Sequence, residues 1–251
     1  MKPIIKLATT QTPDGGEMIL YQHDHDFSIK INGHELMNSR QHESEMELAR
    51  LGCAHLSGHA APRVLIGGLG MGYTLRQTLD VLGPDATVIV SELLPAVVDW
   101  NRRFMGELNG QPLEDKRTEV ITGDIYQLLS RSTGKFDAIL LDIDNGPSAI
   151  TDSGNQRLYS PAGIQICRRA LRKQGCLAIW SAEPSKAFEQ ILINCKFHVR
   201  RYKLHAYEKS SKKSLFVWVA SEDKKILPPG SDDPLSRESL PDSISQPHVS
   251  Q

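Results

Sequence analysis

At 251 residues, 39% hydrophobic and 24% charged, the chain has the composition of an ordinary globular protein with one main core and room for a small appendage. A formal charge of −1 and an aromatic content of 6% leave no basic, aromatic-studded surface for nucleic acid. The opening stretch MKPIIKLATTQTPDGG lacks the apolar core of a secretory leader, and no apolar run approaches the ~20 residues that span a bilayer. A cytoplasmic protein with no membrane partner is expected.

Short strands come first: Ile4–Thr9, Met18–Gln22 and the alternating Phe27–Ile31. Asn32-Gly33 then supplies a two-residue hairpin turn, with His34–Met37 as the returning arm. Residues 1–41 thus read as a small N-terminal β-hairpin domain. His23-Asp24-His25-Asp26 lies in a turn without ligand spacing, so no metal site is expected there. A helix over Ser44–Leu56 follows, opened by a capping box of Ser44 and Glu47.

From Arg63 strands and helices alternate. The strands are Val64–Gly67, Thr87–Ser91, Glu119–Thr122, Phe136–Asp142, Cys176–Ser181, Val199–Lys203 and Leu215–Ala220, with helices such as Thr74–Leu82 and Gly163–Arg172 between them. Continuous apolar strands such as Ala138–Leu141 suit a parallel sheet covered on both faces. The pattern predicts an α/β fold over residues 42–221: a Rossmann-like, doubly wound, seven-stranded sheet. Residues 222–251, rich in Pro, Ser and Asp, read as a disordered polar tail. Cys53, Cys167, Cys176 and Cys195 are isolated in apolar contexts, as buried free thiols are.

Three strand ends carry ligand chemistry. Gly68-x-Gly70-x-Gly72 joins the first strand of the alternating region to a helix, and such a turn admits a ligand close to the backbone. The third glycine of a dinucleotide fingerprint would fall on Tyr73, so a nucleoside fits better than a dinucleotide. Glu92, at the end of the next strand with Leu93 after it, is placed to accept the ribose hydroxyls. Two roles fit Asp124: acceptor for the adenine amino group, with Ile125 against the ring, or cap of the helix beginning near Tyr126. After the fourth strand, Asp142 and Asp144 face the same crevice. A sulfonium is an activated alkyl donor, and an amine nucleophile must lose a proton, so Asp142 is the expected proton acceptor with Asp144 assisting.

The order of these motifs resembles the spermidine synthase family of polyamine aminopropyltransferases, from about Ser28 to Ser221. Val64–Gly68 leading to Thr74-Leu75-Arg76 is similar to its glycine-rich loop and helix; Glu92–Val98 to its ribose segment; Gly123-Asp124 to its adenine site; Phe136–Asp142 to the strand bearing its catalytic aspartate. Leu158-Tyr159-Ser160 and Glu43-Ser44-Glu45 occupy the places of further family elements, which implies that Tyr159 and Glu45 contact the acceptor. Met71 stands where the family's loop has an aspartate, and Tyr207 is the remnant of a late acceptor-covering loop. The resemblance implies the sheet of S-adenosylmethionine-dependent methyltransferases. It also implies decarboxylated S-adenosylmethionine as co-substrate, a small amine acceptor, no metal, no nucleic acid and a homodimer. Methyl transfer from intact S-adenosylmethionine and nucleoside binding without catalysis are the alternatives.

Overall fold

In the computed structural model, residues 3–143, 146–148, 156–205 and 214–230 are described. Four strands, β1 (Ile4–Gln11), β2 (Glu17–His23), β3 (Asp26–Ile31) and β4 (His34–Asn38), form an antiparallel sheet in sequence order. Asn32 and Gly33 take φ of 49° and 81°, the mirror-image turn whose twist matches the strands it joins. Met18, Leu20, Phe27 and Ile29 of this sheet join the apolar core under the main domain.

The rest is built from α1 (Glu43–Cys53), β5 (Arg63–Gly67), α2 (Tyr73–Val81), β6 (Thr87–Glu92), α3 (Pro95–Trp100), β7 (Thr118–Thr122), α4 (Ile125–Ser130), β8 (Phe136–Leu141), α5 (Gln156–Tyr159), α6 (Pro161–Ala170), β9 (Leu171–Ser181), α7 (Lys186–Asn194), β10 (His198–His205) and β11 (Ser214–Ser221). The seven strands run in the order β10-β11-β9-β8-β5-β6-β7. β5 to β9 pair in parallel, and β11 inserts antiparallel between β9 and β10. This is the doubly wound, seven-stranded sheet that the strand–helix alternation predicts.

The period of two divides the buried side chains between two layers. Val64, Ile66, Val88, Val90 and Leu140 pack with α1 to α3 and the N-terminal sheet. Leu65, Ile89, Ile139 and Leu141 pack with α4, α6 and α7. Each such fully buried aliphatic side chain stabilises the fold by about 1.5–3 kcal/mol. Strand order reverses between β5 and β8, and the crevice outside their carboxyl ends is where an open α/β sheet binds ligands.

Three local expectations are corrected. α1 begins at Glu43 with His42 at its cap and no side-chain capping bond; the Ser44 hydroxyl donates instead to Glu45 at 2.5 Å, so the capping box with Glu47 does not form. Leu171 and Arg172 belong to β9, not to the preceding helix, which ends at Ala170. The segment read as tail from 222 starts as packed chain: Lys224–Ile226 form a helical turn, Leu227 is buried, and the Pro228 carbonyl accepts from the Tyr202 hydroxyl. Residues 231–251 lie outside the described residues. All four cysteines are free and buried.

Candidate active site

A cavity of about 690 Å³ opens at the switch point. One wall is the carboxyl end of the parallel strands; the other is the N-terminal sheet, through Leu36 and Met37 among others. Gly68, Gly70, Glu92 and Leu93 line it, and so do Asp124, Ile125, Asp142 and Glu45. Gly72 and Tyr159 are not in its lining. Asp144 and Tyr207 lie outside the described residues.

The glycine-rich loop is shaped by its neighbours' backbone. Gly68, Gly70 and Gly72 all have positive φ (88°, 53° and 85°), where a side chain is strained. The Gly68 amide donates to the Ser91 carbonyl at 2.9 Å, and the Leu69 amide to Glu92 Oε2 at 2.9 Å. Glu92 Oε1 accepts from the Leu94 amide at 2.8 Å. The buried Glu92 carboxylate therefore ties the loop to the start of α3 as it faces the cavity, a structural role the sequence does not disclose.

Asp124 performs one of the two roles left open for it: it caps α4, accepting from the Tyr126 amide at 2.8 Å. Its other oxygen pairs with Arg157, whose guanidinium lies 4.6 Å from the centre of the Tyr126 ring. Ile125 is buried, with its side chain against Gly67.

Asp142 follows β8, its amide donating to the Gly67 carbonyl at 2.9 Å. The Thr74 hydroxyl donates to Asp142 Oδ2 at 2.5 Å and sits 3.4 Å from the Glu45 carbonyl. Removal from water raises the Asp142 carboxyl to about 7; the negative charge of Glu45 adds to this and the Thr74 hydroxyl opposes it. Burial likewise raises the Glu45 carboxyl, against the hydrogen bond from Ser44. Two carboxylates that resist ionising together are the expected form of a proton acceptor tuned to neutral pH.

Tyr159 packs edge-on to Phe188 with ring centres 5.8 Å apart, and its hydroxyl donates to the Ile143 carbonyl at 3.3 Å. It supports the loop after Asp142 from behind rather than forming the wall. Thr74, Arg157 and Trp180 were not found by sequence reasoning. Thr74 stands two residues after Gly72, in the first turn of the helix that the loop enters, and that is its signal in the sequence; Arg157 and Trp180 reach the cavity only through tertiary packing. Among the described residues no group of three or more His, Cys, Asp or Glu is placed to hold a metal ion, and no helix is long and apolar enough to cross a membrane.

Residues 50–208 match the model of the spermine/spermidine synthase domain, more than half of the chain. The chain belongs to the spermine/spermidine synthase family. A polyamine aminopropyltransferase of Saccharolobus islandicus is 30% identical over 126 residues, covering 50% of this chain and 40% of that one. Polyamine aminopropyltransferase 1 of Streptomyces coelicolor is 30% identical over 190 residues, 72% of this chain and 34% of its own. The matches thus span less than half the length of these relatives. The fold is shared with a spermidine synthase of Thermotoga maritima, at a TM-score of 0.68 and 17% identity over 89% of this chain and 75% of that one. The seven-stranded sheet agrees with the fold of this structural neighbour.

Proposed function

We propose that the chain is a transferase that moves an aminopropyl group from decarboxylated S-adenosylmethionine to a small amine, with the spermine/spermidine synthase family as its chemical setting. The observation that carries this reading is Asp142, held by Thr74 beside Glu45 at the switch point, with its carboxyl raised to about 7. The cavity supports it: Asp14, Glu35, Glu45, Glu92, Asp124 and Asp142 line it, against the single cation Arg157 among the described lining residues. Such a cleft attracts a cationic acceptor and a sulfonium donor alike.

In this reading Glu92 accepts the ribose hydroxyls, while Asp124 and Ile125 receive the adenine. Asp142 takes a proton from the acceptor ammonium; the amine lone pair forms the new N–C bond in line as the C–S bond breaks, its electron pair remaining on sulfur as a neutral thioether. Residues 42–221 would supply the nucleoside half of the site and residues 1–41 a wall of the acceptor half. Family membership also supports a homodimer in the cytoplasm.

Calorimetry with decarboxylated and intact S-adenosylmethionine side by side tests the donor. The decarboxylated compound should bind at least about tenfold tighter. A preference for the intact one would turn the reading to methyl transfer, and binding of neither would end it.

The reaction should also depend on pH in a stated direction. Asp142 serves as base only when ionised, so kcat/KM should fall as pH drops through about 7, by about tenfold per pH unit below it. The pair with Glu45 titrates jointly, so the profile reports the pair. A flat profile between pH 6 and 8 would remove Asp142 from the proton transfer.

A further inference from the structure

The glycine loop has a second side, turned from the cavity. α3 runs on into a π-helical turn, Asn101–Met105, and then a tighter turn, Gly106–Asn109. Asn101 is 3% exposed, and its carboxamide donates to the Gly70 carbonyl at 2.8 Å and to the Val97 carbonyl at 2.9 Å. Asn109 donates to the Met71 carbonyl at 2.6 Å. Its own oxygen, Oδ1, is buried without a hydrogen-bond partner among the described residues. A buried acceptor left unpaired is costly, so the orientation is held by the demand at the other end of the amide.

Gly72 fits the same arrangement. A Cβ there would lie 2.8 Å from Asn109 Nδ2 and 3.2 Å from Asn101 Oδ1. The third glycine of the motif therefore makes room for the two asparagines and does not line the ligand cavity.

We infer that Asn101 and Asn109 are positioning residues that set the Gly70 and Met71 peptide planes, and thereby the face the loop offers to the nucleoside. The inference rests on the nucleoside-binding reading above. A trans peptide is planar, with its C=O and N–H on opposite sides. Anchoring the Gly70 carbonyl on Asn101 turns the Met71 N–H toward the side where Gly70 and Met71 line the cavity. Anchoring the Met71 carbonyl on Asn109 fixes the next plane, whose Gly72 N–H donates to the Leu69 carbonyl at 2.8 Å. The loop is thus locked from behind before any ligand arrives, which spares the ligand the entropy of ordering it. The π-helical segment, a rare element often found at functional sites, carries Asn101, and the tighter turn after it carries Asn109 to the loop.

The test measures binding of 5′-methylthioadenosine by calorimetry, and exchange of the Gly72 amide, bonded to the Leu69 carbonyl, by hydrogen–deuterium exchange, in the full chain. The variants are N101A, N109A and the gentler N101S and N109S; R103A, on the exposed face of the same turn, is the control. Asn101 and Asn109 variants should lose affinity by about tenfold and speed Gly72 exchange in the unliganded protein, while R103A matches the native chain. Folded variants that bind as tightly as the native chain would overturn the inference and leave the asparagines as packing. If the alanine variants do not fold, the serine pair decides by the same two readouts. Failure of the native chain itself to bind the nucleoside is a different result, and it strikes the nucleoside reading.

Discussion

Replacing Asp142 by asparagine should cut turnover by about 10²–10⁴-fold and leave donor affinity within about threefold. Asparagine keeps an oxygen for the Thr74 hydroxyl, which sits 2.5 Å from Asp142 Oδ2, so the strand end need not move. What is lost is the proton acceptor and the negative charge facing the amine. Stability provides the control. The folded chain holds the Asp142 proton more tightly than the unfolded one, because burial raises this carboxyl from 3.8 to about 7. Its contribution to stability is therefore full below about pH 4 and fades as pH rises through 7. Asparagine does not titrate, so above pH 7 the variant should unfold no more readily than the native protein. Turnover lost together with stability, or donor affinity lost in equal measure, would demote Asp142 to a structural part.

Gly68→Ala should destabilise the fold by about 3 kcal/mol or more and weaken nucleoside binding by over about tenfold. Two costs combine at this position. Its φ of 88° alone costs an alanine about 1–2 kcal/mol. A Cβ there would also lie 2.2 Å from the Asp142 carbonyl oxygen, which is backbone and does not rotate away. The loop and the end of β8 must separate, and the cavity opens between them. Gly58→Ala isolates the first cost, since Gly58 has φ of 80° and nothing within 4 Å of its would-be Cβ; about 1 kcal/mol is expected there. Chemical denaturation of both variants separates strain from collision. Equal losses would mean that the close approach of Gly68 and Asp142 is unimportant.

The legible parts of this fold are those with local causes. Asn32-Gly33 dictates its turn through the backbone of two residues, and the run Val64–Gly67 into three glycines can hardly be other than a strand entering a helix. That Glu92, Asp124 and Asp142 would line one cavity was legible for the same reason, each standing at the end of its own strand. The misses are cases where a distant contact wins. Ser44 and Glu47 have capping-box spacing, yet Ser44 donates to Glu45 as Glu45 enters the cavity. Leu171-Arg172 continues a helical pattern, but the edge of β8 takes up Leu171 opposite Phe136. Asn101 and Asn109, ordinary polar residues in sequence, acquire meaning only when α3 folds against the back of the loop. Asp124 shows that capping a helix and lining a cavity need not be alternatives: it does both at once.

The cavity's two walls come from separate stretches of chain, one before residue 46 and one after residue 66, meeting where Met37 Sδ would lie 3.4 Å from a Cβ on Gly70. The side chains of the small N-terminal sheet can therefore change while the strand ends of the opposite wall, the nucleoside side in the proposed reading, stay fixed. On that reading, much of the acceptor-facing surface can vary without moving the backbone that receives the donor.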